Sequence, residues 1–473
     1  MSSGSILHRY GFQGISILIL LLFIFIPRIL TGEIYFDQAQ ELELKGSFSE
    51  ASVSYEDSAN RLWWENGLYE KAASQAKKAG ALESAITLFA TAENKDGLSN
   101  AGWIELGDSF LEKGDVNAAI DAWQSVGGRT QDSAEAIARL ARAYRQLGEI
   151  NKAMRFWQEV LKIDPNNDEA YFTLGLLLMT RQPGKALPEL MQATSLNKLW
   201  DTRVQVLREG LNLALLQNDI PYQLVVSGRS LASIGEWVLA QEAFFQAIQF
   251  ANDYAEAWAW LGEAYQHMGK DGFPSLQKAL TLDPNSATIQ ALIGLNYRRQ
   301  GQLDLAWSAY SRAAALEPAN PAWQLALGDL SVQNGELIIA LSHFNQAIVL
   351  APQDPEVWRG MALFCVQNDV DISLQGMQAA LQLLKLAPED WQSYNVMGQV
   401  LMAMGDLESA QLYFVRASQL SPNQSEIYLH LGYLLLMQNQ RDGAYEYLLY
   451  SRQLDPQGGI GGQAQRLIDQ YFP

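Results

Sequence analysis

The sequence predicts an all-α chain, a solenoid of about twelve helical hairpins preceded by one transmembrane helix. Three observations predict it. A small residue recurs at Ala39, Ala73, Gly107, Ala141, Gly175, Gly228, Gly262, Gly294, Gly328, Ala362, Gly398 and Gly432, and most of the intervals between successive members are 34 residues. Behind these anchors stands a fixed series of glycine, alanine and bulky apolar residue, the spacing of two helices joined by a tight turn. Ahead of the first anchor lies an uncharged stretch long enough to enter a bilayer.

That stretch is residues 10–27, YGFQGISILILLLFIFIP, 18 in a row without charge. As a helix it covers about 27 Å, close to the roughly 30 Å of a hydrocarbon core, and Arg28 can snorkel outward. A cleavable secretory signal is the competing reading. Its cut would fall near Thr31 and Gly32, where Ile29 or Leu30 stands in place of the small side chain such a site needs. The expectation is a retained anchor over residues 10–31 behind a cytoplasmic tail of residues 1–9. Acids count little in the positive-inside comparison, which sets Arg9 and the amino terminus against Arg28 and leans toward a cytoplasmic amino terminus. The expected protein is therefore single-pass in the cell membrane with an extracytoplasmic body.

The repeat begins behind this segment. Seven residues after most anchors stands a glycine: Gly46, Gly80, Gly114, Gly148, Gly235, Gly269, Gly301, Gly335 and Gly405. Five further on comes an alanine such as Ala51, Ala119, Ala340 or Ala410, and four beyond that a bulky residue such as Tyr55, Trp123, Phe344 or Phe414. Pro165, Pro284, Pro318, Pro352, Pro388, Pro422 and Pro456 close seven units. A glycine that adopts the left-handed conformation ends the first helix and reverses the chain. Small residues let the two helices approach, and the bulky one fills the space between neighbouring pairs. Proline stops the second helix because it lacks a donor and crowds the preceding turn.

This pattern resembles the tetratricopeptide repeat. Trp103, Leu106, Gly107, Phe110, Gly114, Ala119 and Trp123 in one unit, and Trp258, Leu261, Gly262, Tyr265 and Gly269 in another, match that family's W, L, G, Y, G, A, F series, and the likeness covers roughly residues 32 to 457. The resemblance implies a right-handed superhelix, a concave groove lined by first-helix side chains, and a protein or peptide as partner. In members that grip a terminal carboxylate, Lys, Asn and Arg lie in consecutive units. The equivalent places here offer Ile104, Asp108, Ala138, Phe172 and Leu176, so that clamp is not expected. Gln182, Asp369 and Asn439 replace the turn glycine, and Gly272 and Gly376 replace the alanine.

One interval is 53 residues and holds an extra helix, NKLWDTRVQVLREGLNLALLQND, with Trp200, Val204, Leu207, Leu211 and Leu215 on one face. The expected organisation is an array of about five units over residues 32–196, the inserted helix over 197–219, about seven units over 220–457, and a capping helix over 458–473, with a diverged repeat that still packs as the alternative at the long interval.

Composition narrows the function. The formal charge is −19, and Lys and Arg are outnumbered by Asp and Glu 17 to 25 over residues 33–200, 8 to 12 over 201–320 and 6 to 15 over 321–473. No third offers the cations that neutralise a phosphate backbone, so nucleic acid is not an expected partner. The same acidity should hold the body off anionic headgroups. The single Cys365 excludes an internal disulfide and a multi-cysteine metal site, and its place in the repeat is one that other units give to core residues. His8, His267, His343 and His430 are scattered, and no HExxH, GxSxG or P-loop spacing appears. No catalytic residue, cofactor or metal is expected.

What remains is recognition. Arg139, Arg142 and Arg145 recur at three-residue spacing on one first helix, with Arg229 at a groove position two units later. Their forks suit carboxylates, hence an acidic peptide, although solvated surface cations balancing Glu135 and Glu149 are the more ordinary explanation. Trp260, Arg298, Arg359, Asn395, Gln399 and Tyr433 supply a mixed aromatic and polar lining in later units, with Trp260 also suited to packing between them. The expected function is a membrane-tethered scaffold, resembling anchored repeat proteins of bacterial envelope biogenesis. A homo-oligomeric structural role, or a regulatory subunit of a separately encoded enzyme, is the alternative.

Overall fold

The computed structural model describes residues 25–127, 131–456 and 458–472. All regular structure among them is helical. Residues 10–24, most of the expected membrane segment, lie outside the described residues, as do residues 1–9. Among the described residues no helix is long and apolar enough to cross a membrane. The chain divides into two compact units, Met1–Ala247 and Ile248–Pro473.

In the first unit a helix over 25–44 is succeeded by Phe48–Arg61, and then by the hairpins Leu68–Lys78 with Leu82–Asp96 and Asn100–Lys113 with Val116–Gln124. Gln131–Gln146 with Ile150–Ile163 and Asp168–Met179 with Ala186–Leu196 continue the series. The turn glycine acts as its position predicts. Gly114 has φ +91°, its amide donates to the Leu111 carbonyl (2.9 Å), and the Asp115 amide donates to the Phe110 carbonyl (2.9 Å), so the last carbonyls of the helix are satisfied. The anchor has a different cause. A Cβ on Gly107 would stand 2.3 Å from Trp123 Nε1, so only glycine lets the indole lie on the helix backbone. Ala119 and Trp123 are buried in consequence.

The long interval holds a short 3-10 turn, Lys198–Trp200, and the helix Asp201–Ala214. Val204, Leu207 and Leu211 are buried as the periodicity predicts, but Leu215 is 40% exposed and Ala214 is buried instead, because the helix ends there. Trp200 stacks on Phe172 (4.1 Å, 13°). The inserted helix packs on Ile220–Ser233 closely enough that a Cβ on Gly210 would overlap Ser230 Oγ (1.7 Å). Where Gln182 replaces glycine, a 3-10 turn, Pro183–Lys185, leads directly into the second helix.

The second unit contains six further hairpins, from Ala255–His267 with Phe273–Leu282 to Ser425–Met437 with Arg441–Leu454, and the helix Gly459–Tyr471. Its changes of length are absorbed locally. At the short interval, Gly272 sits on the backbone of Gly262, where a Cβ would be 1.9 Å from the Gly262 oxygen. At the long one, Asp369 and Asp371 both have positive φ (54° and 43°) and a π-helical turn, Ile372–Gly376, takes up the extra residues. Gly376 meets buried Cys365, whose thiol is pushed up to about 11 by burial and the neighbouring Asp371 charge. The last helix covers the end of the stack through Ala464 and Ile468, which join Leu429 and Leu448. Asp455 holds its start by accepting from the Ile460 and Gly461 amides (3.1 and 3.0 Å).

Candidate functional site

The first helices of the hairpins carry the polar rows from which a binding surface could be built. In the first unit that row is already paired. Arg139 forks Asp108 (Nε to Oδ1 2.6 Å, Nη2 to Oδ2 3.0 Å) and reaches Glu135 (2.7 Å), while Lys77 stands 3.5 Å from the same Asp108. Arg142 forks Glu169 (2.8 and 2.5 Å). Arg145 and Arg203 share Glu236 (2.5 and 2.9 Å), and Arg181 meets Glu242 (2.7 Å). The three clustered arginines are thus each paired with carboxylates of this unit, not an open cationic patch. Arg229 is exposed on Ile220–Ser233. No local spacing announces the pairing of Arg145 with Glu236, which are 91 positions apart.

The second unit is different. Its first helices place Arg298, Asp329, Glu356 and Arg359 around an open cleft of about 460 Å³ floored by Leu325, Phe344 and Phe364. Arg298 and Arg359, both expected in the binding surface, are brought together here. Arg359 pairs with Glu356 one turn before it. Arg298 makes no hydrogen bond or ion pair among the described residues; its charge acts on Asp329. Burial pushes the Asp329 carboxyl above the usual carboxylate range, and Arg298 only partly opposes it. Sequence reasoning missed Asp329 and Gly360. The signal for the second was available, because glycine inside a helix is costly unless space is needed. A Cβ on Gly360 would stand 3.1 Å from Leu325 Cδ2 and 3.5 Å from Phe344 Cε1.

Asn395 and Gln399 are buried (2% and 9% exposed). Asn395 Nδ2 donates to Glu426 Oε1 (3.1 Å), and its Oδ1 accepts from His430 Nδ1 (2.9 Å). Burial pushes the His430 ring down to about 4 and raises the Glu426 carboxyl against the pull of Asn395 and Arg359. Tyr433 is 42% exposed and lines a second hollow of about 570 Å³ with Met402, Leu429 and Arg466. Trp260 is half-buried, with Nε1 donating to Glu256 (3.3 Å). A separate feature ties Arg299 to nearly buried Glu263 in a two-bond fork (2.8 and 2.7 Å). Among the described residues no group of His, Cys, Asp and Glu could hold a metal ion.

Such an arrangement can bind an extended chain segment: apolar side chains fit the floor, and carboxylates fit the arginines at the rim. A family model described as TPR repeat matches residues 141–180, and one described as tetratricopeptide repeat matches residues 292–355 and 395–459, so these stretches carry tetratricopeptide repeats. No curated protein matches it. Among solved structures it is similar to the APC/C hetero-tetramer Cut9–Hcn1, at 16% identity over 93% of this chain and 96% of that one, with a TM-score of 0.42. It is similar also to yeast Tom70, at 16% identity over 93% and 95%, with a TM-score of 0.44. Pseudomonas aeruginosa pilF matches at 21% identity over 46% of this chain and 98% of that one, with a TM-score of 0.35.

Proposed function

We propose that this chain of tetratricopeptide repeats is a membrane-tethered scaffold, with its body outside the cytoplasm, that grips an acidic segment of a partner protein during assembly of an envelope complex. The observation that carries the reading is the cleft of the second unit, where Arg298 stands without a hydrogen-bonded partner at the rim of an apolar floor. An incoming carboxylate finds a cation already set beside Asp329, a carboxyl that burial disposes toward its neutral form. Neighbouring apolar side chains of the partner lie on the floor made by Leu325, Phe344 and Phe364. The apolar residues 10–27 supply the tether.

The test places a photocrosslinking amino acid at Leu363, on the cleft wall, in cells that make the protein. The expected result is a heteromeric adduct that disappears when Arg298→Glu and Arg359→Glu are introduced, with helicity unchanged. Adducts to the chain itself alone, or heteromeric adducts indifferent to charge reversal, would overturn the reading.

A further inference from the structure

At the amino-terminal end of the first unit, several contacts pin the end of Phe48–Arg61 beside the start of the helix over 25–44. The Ser58 hydroxyl donates to the Gly32 carbonyl (3.0 Å), and Arg28 Nη2 donates to the Asn60 carbonyl (2.7 Å). Gly32 lets Leu62 close in, for a Cβ there would be 2.6 Å from Leu62 Cγ. The Arg61 guanidinium lies 4.4 Å from the centre of the Tyr35 ring. These contacts run antiparallel. The chain beyond Leu62 therefore emerges near Arg28, three residues from the first described residue, Phe25.

Trp63 and Trp64 are the next two residues. They hold the two corners of a tight turn closed by the Glu65 amide, which donates to the Leu62 carbonyl (2.9 Å), and their rings meet edge to face (5.7 Å, 82°). Trp63 is 63% exposed and Trp64 44%. On the adjoining helix, Ile26, Leu30 and Ile34 form an exposed stripe at four-residue spacing. Two indoles and an aliphatic stripe facing outward next to an 18-residue uncharged segment suit the layer between headgroups and acyl chains, where an indole can bury its ring and still satisfy its N–H.

We infer that Trp63 and Trp64 insert into the interfacial layer of a phospholipid bilayer beside residues 10–27, so that the first unit is docked on the membrane as well as tethered to it. The inference rests on the tether proposed above. Arg61 is paired with Asp57 (2.8 Å) and Glu65 adds an acid, so the indoles carry the contact and zwitterionic headgroups suffice. The docked spot is a local exception to the repulsion expected between so acidic a body and anionic lipid.

The full chain is reconstituted in phosphatidylcholine vesicles, with or without bromine near the headgroup end of the acyl chains, and floated on a density gradient. Subtracting the emission of the Trp63→Phe/Trp64→Phe variant from that of the wild type isolates the pair; Trp63→Phe alone serves if the double variant loses helicity. The expected difference emission is blue-shifted and falls by about half in brominated vesicles, with no need for anionic lipid. A chain that floats but whose pair emission stays unquenched overturns the docking and leaves the tether standing. A chain that does not float overturns both, and quenching that requires anionic lipid overturns the aromatic account.

Discussion

At the residue scale, the clearest constraint is the contact between an anchor glycine and the aromatic ring on it. Gly107→Ala drives a methyl group into the Trp123 indole, which has no room to retreat, and should cost about 1–3 kcal/mol as a lower urea midpoint. Asp369→Gly works in the opposite direction. The native residue holds φ +54°, so relieving it should raise the midpoint by up to about 1 kcal/mol. His430 gives a pH signature. Its folded-state pKa of about 4 lies below the ordinary 6.5, so the unfolded chain takes up the proton first as pH falls. Its contribution is complete above pH ~6.5 and is lost between there and ~4, a loss of about 3 kcal/mol at most. Asp329 and Glu426, with raised carboxyls, run the other way. Denaturation of wild type and His430→Gln at pH 7 and pH 5 separates the terms: the variant should lose less stability on acidification.

At the scale of elements, the boundaries were highly legible. Each of the seven predicted closing prolines stands two residues beyond a helix end, as Leu316 and Pro318 or Leu420 and Pro422 show. The turn glycines and their small anchors were equally readable, because each is dictated by a local conformation or a single contact. The inserted helix was found with one face residue misassigned, since Leu215 lies past a helix end that no cap residue marks. The polar surface was much less legible. The sequence allowed Arg139, Arg142 and Arg145 to serve an acidic peptide or to balance nearby acids; Glu135 does pair with Arg139, but Asp108, Glu169 and Glu236 come from 27 to 91 positions away, so only the folded stack shows which charges are spent. Glu236→Gln leaves Arg145 and Arg203 without their shared carboxylate. The expected loss is about 1 kcal/mol, shrinking at high salt, read from denaturant midpoints at two ionic strengths.

On the scale of the whole molecule, the number and type of repeats came from periodicity, whereas the cleft of the second unit did not. It depends on an absent side chain at Gly360 and on Arg298 and Arg359, which lie 61 positions apart in different repeats. The proposed extracytoplasmic placement of the body is open to a simple experiment. Cys365 is buried and silent to labelling, and Val349 is 79% exposed. A Val349→Cys chain should react with a membrane-impermeant maleimide on intact cells; reaction only after lysis would place the body in the cytoplasm.

The proline rhythm has an evolutionary corollary. Because each copy stops at the same phase, excising residues 319–352 between Pro318 and Pro352 removes one interchangeable cassette and leaves flanking surfaces of matching chemistry. The gene can therefore lengthen or shorten its product in whole quanta by unequal recombination. An event at this place also takes away Leu325, Asp329 and Phe344, and with them much of the cleft of the second unit.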